Sequence, residues 1–169
     1  MAGLFVILLG ADDSADQKLA KQALRSQSID VMLHVVPSAE EALRYLARSE
    51  DGDVASLWPH LILLDLNMPG MGGREFLMHV KSRPHLCTIP VVVLTTSDSE
   101  DDIQACYAMQ SAGYVQKPSG GDLKRIMENL LMYWFGYGAV VQGPQSIVRS
   151  QNVCDATAVH EPGGANWKG

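Results

Sequence analysis

Leu61-Ile-Leu-Leu64, followed by Asp65-Leu-Asn-Met-Pro69-Gly70, is the most informative segment of the chain for its fold. A short, unbroken apolar run is typical of a strand that is buried on both faces of a parallel sheet. Pro69-Gly70 ends the run before helix-like sequence begins at Arg74. An acid at such a strand end must find a cation, a hydrogen-bond donor or a chemical role, because burying an unpaired charge is costly. Asp65 is therefore the first candidate functional residue.

Two further apolar runs end in polar residues. Ile89-Pro-Val-Val-Val-Leu94 leads into Thr95, and Tyr114-Val-Gln116 leads into Lys117. Ligands of open α/β sheets bind outside the carboxyl ends of the strands. We therefore expect Asp65, Thr95 and Lys117 to converge at one edge of the sheet.

A first strand, Leu4 to Leu9, adds acids to the same edge because it leads into Asp12-Asp13. Carboxylates that lie so close to each other repel, and a hard divalent cation such as Mg²⁺ commonly reconciles them. The sequence thus predicts a divalent metal site near Asp65.

Five apolar segments alternate with five helical patterns along the chain, which predicts a parallel sheet with right-handed crossovers. The predicted strands lie at about 4–10, 31–36, 61–65, 90–95 and 113–116, and the predicted helices at about 14–26, 38–48, 73–82, 100–110 and 120–135. Ser38 with Glu41, and Ser99 with Asp102, have the spacing of N-terminal helix caps.

These motifs resemble the receiver domain of two-component response regulators. The matching strings are Asp12-Asp13, Leu63-Leu-Asp-Leu-Asn-Met-Pro-Gly70, Pro90-Val-Val-Val-Leu-Thr95 and Gly113-Tyr-Val-Gln-Lys-Pro118. Gly73-Arg-Glu-Phe-Leu77 and Tyr133-Trp134 are similar to the stand-alone regulators that accompany phytochrome kinases. The resemblance covers about Leu4 to Phe135 and implies a flavodoxin-like α/β fold, with five parallel strands in the order 2-1-3-4-5 and helices on both faces.

The resemblance also implies a role for each matching residue. Asp65 would accept a phosphoryl group from a sensor histidine kinase, and Asn67 would offer its backbone carbonyl to Mg²⁺. Thr95 would hydrogen-bond a phosphoryl oxygen, and Lys117 would pair with the acyl phosphate. Tyr114 matches an aromatic switch residue that turns inward when Thr95 moves. Phosphoryl transfer needs little beyond such positioning and charge neutralisation.

The first acidic pair departs from the family pattern of two acids after the first strand. Counted from the second acid, the apolar face of the following helix fits only if that acid is Asp12, since the places then fall on Leu19, Ala20, Ala23 and Leu24. Asp12 is thus expected to be the direct metal ligand, and Ala11 stands where the other acid belongs. Asp13 is open to two interpretations, a compensating metal ligand or an acid favoured by the helix N-terminus.

The composition favours a globular domain, since 47% of the 169 residues are hydrophobic. A formal net charge of −6 provides no basic surface, which argues against direct nucleic-acid binding. The apolar start is too short for a membrane span or a signal core, so no membrane association is expected. The odd number of cysteines, without metal-binding spacing, suits a reducing cytoplasm; they are Cys87, Cys106 and Cys154.

The last helix indicates a partner surface. Its core stripe is followed by a crowded apolar end, formed by Met132, Tyr133, Trp134, Phe135 and Tyr137. We expect a homodimer through this end, in particular through Tyr133, Trp134 and Phe135. The alternative is that the C-terminal tail folds back over it. We divide the chain into a receiver domain at 1–137 and a tail at 138–169, expected to be largely mobile because it lacks apolar periodicity.

The sequence therefore predicts a signalling phospho-receiver and not an enzyme with a metabolite substrate. Two alternatives belong to other classes. A haloacid-dehalogenase-like phosphatase also uses an aspartate nucleophile, but it needs an acid two residues later, where this chain has Asn67. A nucleotide-binding module needs a glycine-rich loop, whereas Gly10-Ala-Asp-Asp13 would set acids against a phosphate.

Overall fold

The computed structural model of the chain describes residues 4–119 and 122–137. The strands are β1 Phe5–Gly10, β2 Val31–Val36, β3 Leu61–Asp65, β4 Val91–Thr95 and β5 Gly113–Gln116. The helices are α1 Ser14–Arg25, α2 Ala39–Glu50, α3 Gly73–Lys81, α4 Glu100–Ala108 and α5 Leu123–Leu131, and a π-helical turn spans Met132–Tyr137. All the predicted strands and helices are present, with small differences at their ends.

The strands form one parallel sheet in the order β2-β1-β3-β4-β5, as predicted. The central strands β3 and β4 are buried along their whole length. Their apolar residues alternate between two core layers, which explains why the runs show no polar alternation. In β3, Ile62 and Leu64 pack into one layer, and Leu61 and Leu63 pack into the other.

The two layers correspond to the two sets of helices. Helices α2 and α3 cover one face through Leu46, Phe76 and Leu77, which are fully buried. Helices α1 and α5 cover the other through Ala23 and Met127. Burial of each large side chain in these layers stabilises the folded state by about 1.5–3 kcal/mol. The sheet edge that carries the site is therefore supported by a well-packed core.

The loop between β3 and α3 is held close to the end of β3. Gly70 has φ +82°, a conformation that favours glycine, and the next backbone N–H, of Met71, donates to Glu40 Oε1 at 2.8 Å. Gly73 starts α3 so close to β3 that a Cβ there would lie 2.8 Å from the Asp65 carbonyl oxygen. The two glycines therefore let the chain turn back tightly beside Asp65.

The helix starts match the predictions unevenly. The Ser38 hydroxyl accepts the Glu41 N–H at 3.2 Å, which confirms the predicted cap of α2. Ser99 occupies the N-cap position of α4, but its side chain makes no capping hydrogen bond, so that part of the prediction is wrong. Ser97 takes both sides of the expected reciprocal pair, since its hydroxyl donates to the Asp102 carboxylate at 2.5 Å and accepts the Ser99 backbone N–H at 3.2 Å.

The predicted last helix also ends differently, because its final turn is π-helical from Met132 onwards. Within this turn the ring of Phe135 packs on that of Phe5 at 4.7 Å, while Tyr133 is 63% exposed. The predicted tail, 138–169, and the side chain of Tyr137 lie outside what the structure describes. Among residues 4–119 and 122–137, no helix combines the length and apolarity needed to cross a membrane.

Candidate functional site

The register of the sheet brings the predicted site residues to one edge. In the pairing of β1 with β3, Gly10 lies opposite Leu64, and Asp65 is the next residue of β3. On the other side of β3, Thr95 ends β4, and the backbone N–H of Lys117 donates to the Thr95 carbonyl at 2.7 Å. Because the strands are parallel, Asp65, Thr95 and Lys117 follow one another across neighbouring strand ends.

Asp65 is buried, with 5% of its surface exposed, and both carboxylate oxygens are occupied. Oδ1 accepts the backbone N–H of Asn67 at 2.9 Å. Oδ2 accepts a hydrogen bond from Lys117 Nζ at 2.5 Å. The charge of this carboxylate is thus balanced by a cation, as the sequence predicts for an acid at a buried strand end.

Lys117 has a second acidic partner that the sequence analysis missed. Its ammonium also donates to Asp16 Oδ2 at 2.5 Å, so it lies between two carboxylates. Burial by itself would lower the pKa of Lys117, but the hydrogen bonds to Asp16 and Asp65 outweigh this effect and raise the pKa. The lysine therefore stays protonated at neutral pH despite its burial.

A signal for Asp16 is present in the sequence. It lies in the first turn of α1, three residues after Asp13, so it is the next acid after the Asp12-Asp13 pair. In the sequence alone, such an acid is equally well explained by the favourable field of a helix N-terminus. Only its contact with Lys117 distinguishes the two roles.

The acids after β1 are placed differently from one another. Asp13 is the N-cap of α1, and its side chain accepts the Ala15 N–H at 2.8 Å. The helix backbone thus engages this carboxylate, and no contact joins it to Asp65 among the described hydrogen bonds. Asp12 is exposed, whereas Ala11 is buried and its carbonyl accepts a hydrogen bond from Gln17 Nε2 at 2.8 Å.

The residues around Asp65 can hold a divalent cation only if oxygen atoms other than those of carboxylates complete its coordination shell. Residues 4–119 and 122–137 contain no group of three or more His, Cys, Asp or Glu arranged to hold a metal ion. Asp65 offers one carboxylate, Asn67 is fixed beside it by its backbone hydrogen bond, and the exposed Asp12 follows β1, the strand next to β3. Two carboxylates, a backbone carbonyl and water are a set that Mg²⁺ accepts, so the residues fit a hard cation.

Thr95 is fully buried next to Asn67. Its hydroxyl oxygen accepts hydrogen bonds from Asn67 Nδ2 and from the Ser97 N–H, both at 3.2 Å. The Asn67 amide also lies 3.3 Å from Thr96 Oγ1. The Asn67 side chain therefore links the loop after Asp65 to the end of β4.

Tyr114 contacts the segment that follows Thr95. Its ring is half-buried against the α3 side of the core, and its hydroxyl donates to the Ser97 carbonyl at 3.0 Å. Ser97 Oγ in turn donates to Asp102, which forms an ion pair with Arg74 of α3. Any displacement of the β4–α4 loop therefore affects both Tyr114 and the start of α4.

Comparisons with known proteins agree with this geometry. Residues 7–130 match the family described as "Response regulator receiver domain". The response regulator Rcp1 of Synechocystis sp. is 38% identical over 130 residues, which cover 76% of this chain and 88% of Rcp1.

Solved structures give the same result. The crystal structure of the Mn²⁺-bound form of Rcp1 superposes with a TM-score of 0.76 at 36% identity, covering 82% of this chain and 99% of that one. The crystal structure of the phosphorylated cyanobacterial phytochrome response regulator RcpA gives 0.76 at 35% identity, covering 83% and 100%. This chain is thus similar, over most of its length, to proteins observed with a divalent metal or with a phosphoryl group.

Proposed function

This chain belongs to the response regulator receiver family and is related to phytochrome response regulators, and we propose that it accepts a phosphoryl group on Asp65. The donor is the phosphohistidine of a sensor histidine kinase. The outcome is a change in protein–protein contacts and not the turnover of a metabolite.

The observation that supports this proposal most is the pairing of Asp65 Oδ2 with Lys117 Nζ at 2.5 Å at the end of a buried strand. In the proposed step, a carboxylate oxygen of Asp65 attacks phosphorus while the bond from phosphorus to the kinase imidazole nitrogen breaks. The electron pair of that bond leaves with the imidazole. Lys117 then stabilises the charge on the phosphoryl oxygens, and the Thr95 hydroxyl donates to one of them.

The proposed metal is Mg²⁺, which would neutralise charge on the phosphoryl oxygens. Asp12, Asp65 and the carbonyl of Asn67 would hold it. Asp13 is a weaker candidate because its carboxylate caps α1. The Mn²⁺-bound form of Rcp1 supports a divalent ion in the family.

The switch is proposed to run from Thr95 to Tyr114. If Thr95 moves toward the acyl phosphate, it leaves its hydrogen bond with the Ser97 N–H, which lies at 3.2 Å. The Tyr114 hydroxyl donates to the carbonyl of that same Ser97, so a shift of the loop would break this hydrogen bond and release the ring to turn. Helix α4 follows the loop directly and presents the change to partners.

The proposed partners are a histidine kinase, possessing a phytochrome-type sensor, and a second copy of this chain. The relation to RcpA supports the kinase type. The exposed Tyr133 at the end of α5 supports the homodimer. We place the protein in the cytoplasm, where histidine kinases obtain their phosphoryl group from ATP, and we propose no nucleic-acid contact because the net charge is −6.

The two alternatives from other classes lose their support. The receiver-family match over residues 7–130 argues against the haloacid-dehalogenase-like phosphatase. At the position where that enzyme needs a general acid, the Asn67 amide donates to Thr95 and Thr96. At the end of β1, the segment from Gly10 to Asp13 leads to acids and not to a phosphate-binding glycine loop.

The test is to incubate the protein with acetyl phosphate and Mg²⁺, and separately with an autophosphorylated histidine kinase, and to follow its intact mass. The wild type should gain the mass of one phosphoryl group, the gain should disappear with a chelator, and Asp65→Asn should gain nothing. A wild type that stays unmodified with both donors would contradict the proposal.

A further inference from the structure

The setting of Lys117 suggests a role for Asp16. The two carboxylates that bind its ammonium come from different elements, Asp16 from α1 and Asp65 from β3, and each lies 2.5 Å away. The side chains of Asp16, Lys117 and Asp65 are 16%, 11% and 7% exposed, so the three charges share one mostly buried place. A contact of this kind is stronger than an exposed ion pair.

The same place includes Ala11. A small pocket at the carboxyl end of β1 is lined by Ala11, Asp16, Asp65 and Lys117, with the apolar wall formed by Leu9, Leu94, Leu123 and Met127. Ala11 is 2% exposed, and its side chain is only a methyl group. Ala11, which stands where the family pattern has an acid, therefore lines the same pocket as Asp16 and Lys117.

We propose that Asp16 is a positioning residue for phosphoryl transfer, which holds Lys117 beside Asp65 and supplies the negative charge that Ala11 lacks. This inference rests on the function proposed for Asp65. Asp16 acts through Lys117 and touches neither the phosphoryl group nor the metal.

The donor inventory of the ammonium explains how this works. A lysine ammonium has three N–H donors. Asp16 and Asp65 accept two of them, and the third remains for a phosphoryl oxygen. When Asp65 becomes an acyl phosphate, it loses its carboxylate charge, whereas Asp16 keeps its own. Asp16 thus holds the flexible Lys117 side chain at the site throughout the reaction. Without this contact the lysine would have to be reoriented, which would slow the transfer.

The test compares rates of Asp65 phosphorylation by acetyl phosphate at saturating Mg²⁺. Asp16→Ala should slow phosphorylation about tenfold, because Lys117 then has to be positioned during the reaction. Glu75→Ala is the matched control, since Glu75 is also an acid in the first turn of a helix and is exposed. It should react like the wild type.

Two further arms separate positioning from a structural role. In a Lys117→Met background, removing Asp16 should cause no additional loss, because its effect passes through the lysine. Adding Ala11→Glu to Asp16→Ala should restore most of the rate, since it returns a carboxylate to the same pocket. The Mg²⁺ concentration that gives half the maximal rate should be the same for Asp16→Ala and the wild type.

Three results would overturn the inference. Asp16→Ala could react as fast as the wild type, it could lose the same factor again in the Lys117→Met background, or it could change only the Mg²⁺ requirement, which would make Asp16 a metal ligand. In each case a wild type that is phosphorylated on Asp65 leaves the proposed function intact. A wild type that takes up no phosphoryl group would overturn the proposed function and this inference together.

Discussion

At the scale of single residues, Asp12 and Asp13 are neighbours in the chain, but their carboxylates have different surroundings. Asp13 accepts the Ala15 N–H at 2.8 Å and so stabilises the start of α1. Asp12 precedes the helix, next to the buried Ala11. A metal held by few protein carboxylates depends strongly on each of them.

We predict that Asp12→Ala weakens Mg²⁺ binding at least about tenfold, or ~1.4 kcal/mol, whereas Asp13→Ser leaves it nearly unchanged. Serine is the right control because it preserves the helix cap and removes only the charge. Ala11→Glu should tighten binding by restoring a carboxylate. Tryptophan fluorescence during a Mg²⁺ titration measures all three affinities, and an equal or greater loss for Asp13→Ser would contradict our assignment of the ligand.

Single residues were predictable where a charged side chain at the end of an apolar strand requires a partner. Asp65 and Lys117 follow apolar strands, and a charge at that place needs a partner, so the sequence indicated both. Asp16 was missed because a first-turn acid of a helix has a sufficient local explanation. Its contact with Lys117 joins residues 101 positions apart, a separation at which local patterns carry no information.

At the scale of elements, the ends of the helices are set by individual hydrogen bonds. The caps of α2 and α4 show this, since both are serine and only Ser38 makes the capping bond. At α4, Asp102 instead binds Ser97 and Arg74 and ties the helix to the β4–α4 loop and to α3. The start of α4 is thus connected to the proposed switch by the contacts of Asp102, and its N-cap residue makes no side-chain capping bond.

We predict that Ser38→Ala lowers the free energy of unfolding by about 1 kcal/mol, because the Glu41 N–H loses its acceptor. Ser99→Ala is the matched control and should change the stability by less than about 0.5 kcal/mol. Urea unfolding of the two variants beside the wild type provides the comparison. Equal losses for both serines would show that the two caps are alike in solution.

The strands were easier to predict than the helix ends for a physical reason. A strand buried on both faces, such as β3 or β4, imposes an apolar run on its sequence. A helix cap depends on which of several nearby partners a side chain binds, and Asp102 forms an ion pair with Arg74 of α3. The π-helical turn after Leu131 was likewise not visible in the helical periodicity, which favoured a continuous α-helix.

At the scale of the whole molecule, the end of α5 divides into two surfaces. Phe135 packs against Phe5 at 4.7 Å and so belongs to the core of the domain. Tyr133 is 63% exposed and rests edge-on against Trp134 at 5.4 Å. Of the three aromatic residues predicted for the homodimer, Tyr133 is therefore the one that presents most of its surface to a partner.

We predict that phosphorylation shifts the monomer–dimer equilibrium, because a ligand or modification acts through differential contacts in the two states. Tyr133→Ala should weaken the dimer about tenfold, or ~1.4 kcal/mol. Phe135→Ala should chiefly lower the free energy of unfolding, by about 1–3 kcal/mol, because it removes core packing. Sedimentation velocity with and without a phosphodonor measures the equilibrium, and urea unfolding measures the stability.

Met78→Ala is the control for this surface, because Met78 is 58% exposed on α3. It should leave the dimer unchanged. A monomer under every condition, with Tyr133→Ala indistinguishable from Met78→Ala, would remove the argument for a homodimer through the last helix.

Chemical trapping locates the phosphorylated residue and so shows whether Asp65 is the sole phosphoacceptor. Borohydride reduces an aspartyl phosphate to homoserine, so peptide mass spectrometry after phosphorylation with acetyl phosphate and Mg²⁺ locates the modified residue. The assignment of Asp65 predicts homoserine at position 65 and nowhere else, and no homoserine in Asp65→Asn. Homoserine at another aspartate of the wild type, or a base-labile phosphoryl group that persists in Asp65→Asn, would contradict it.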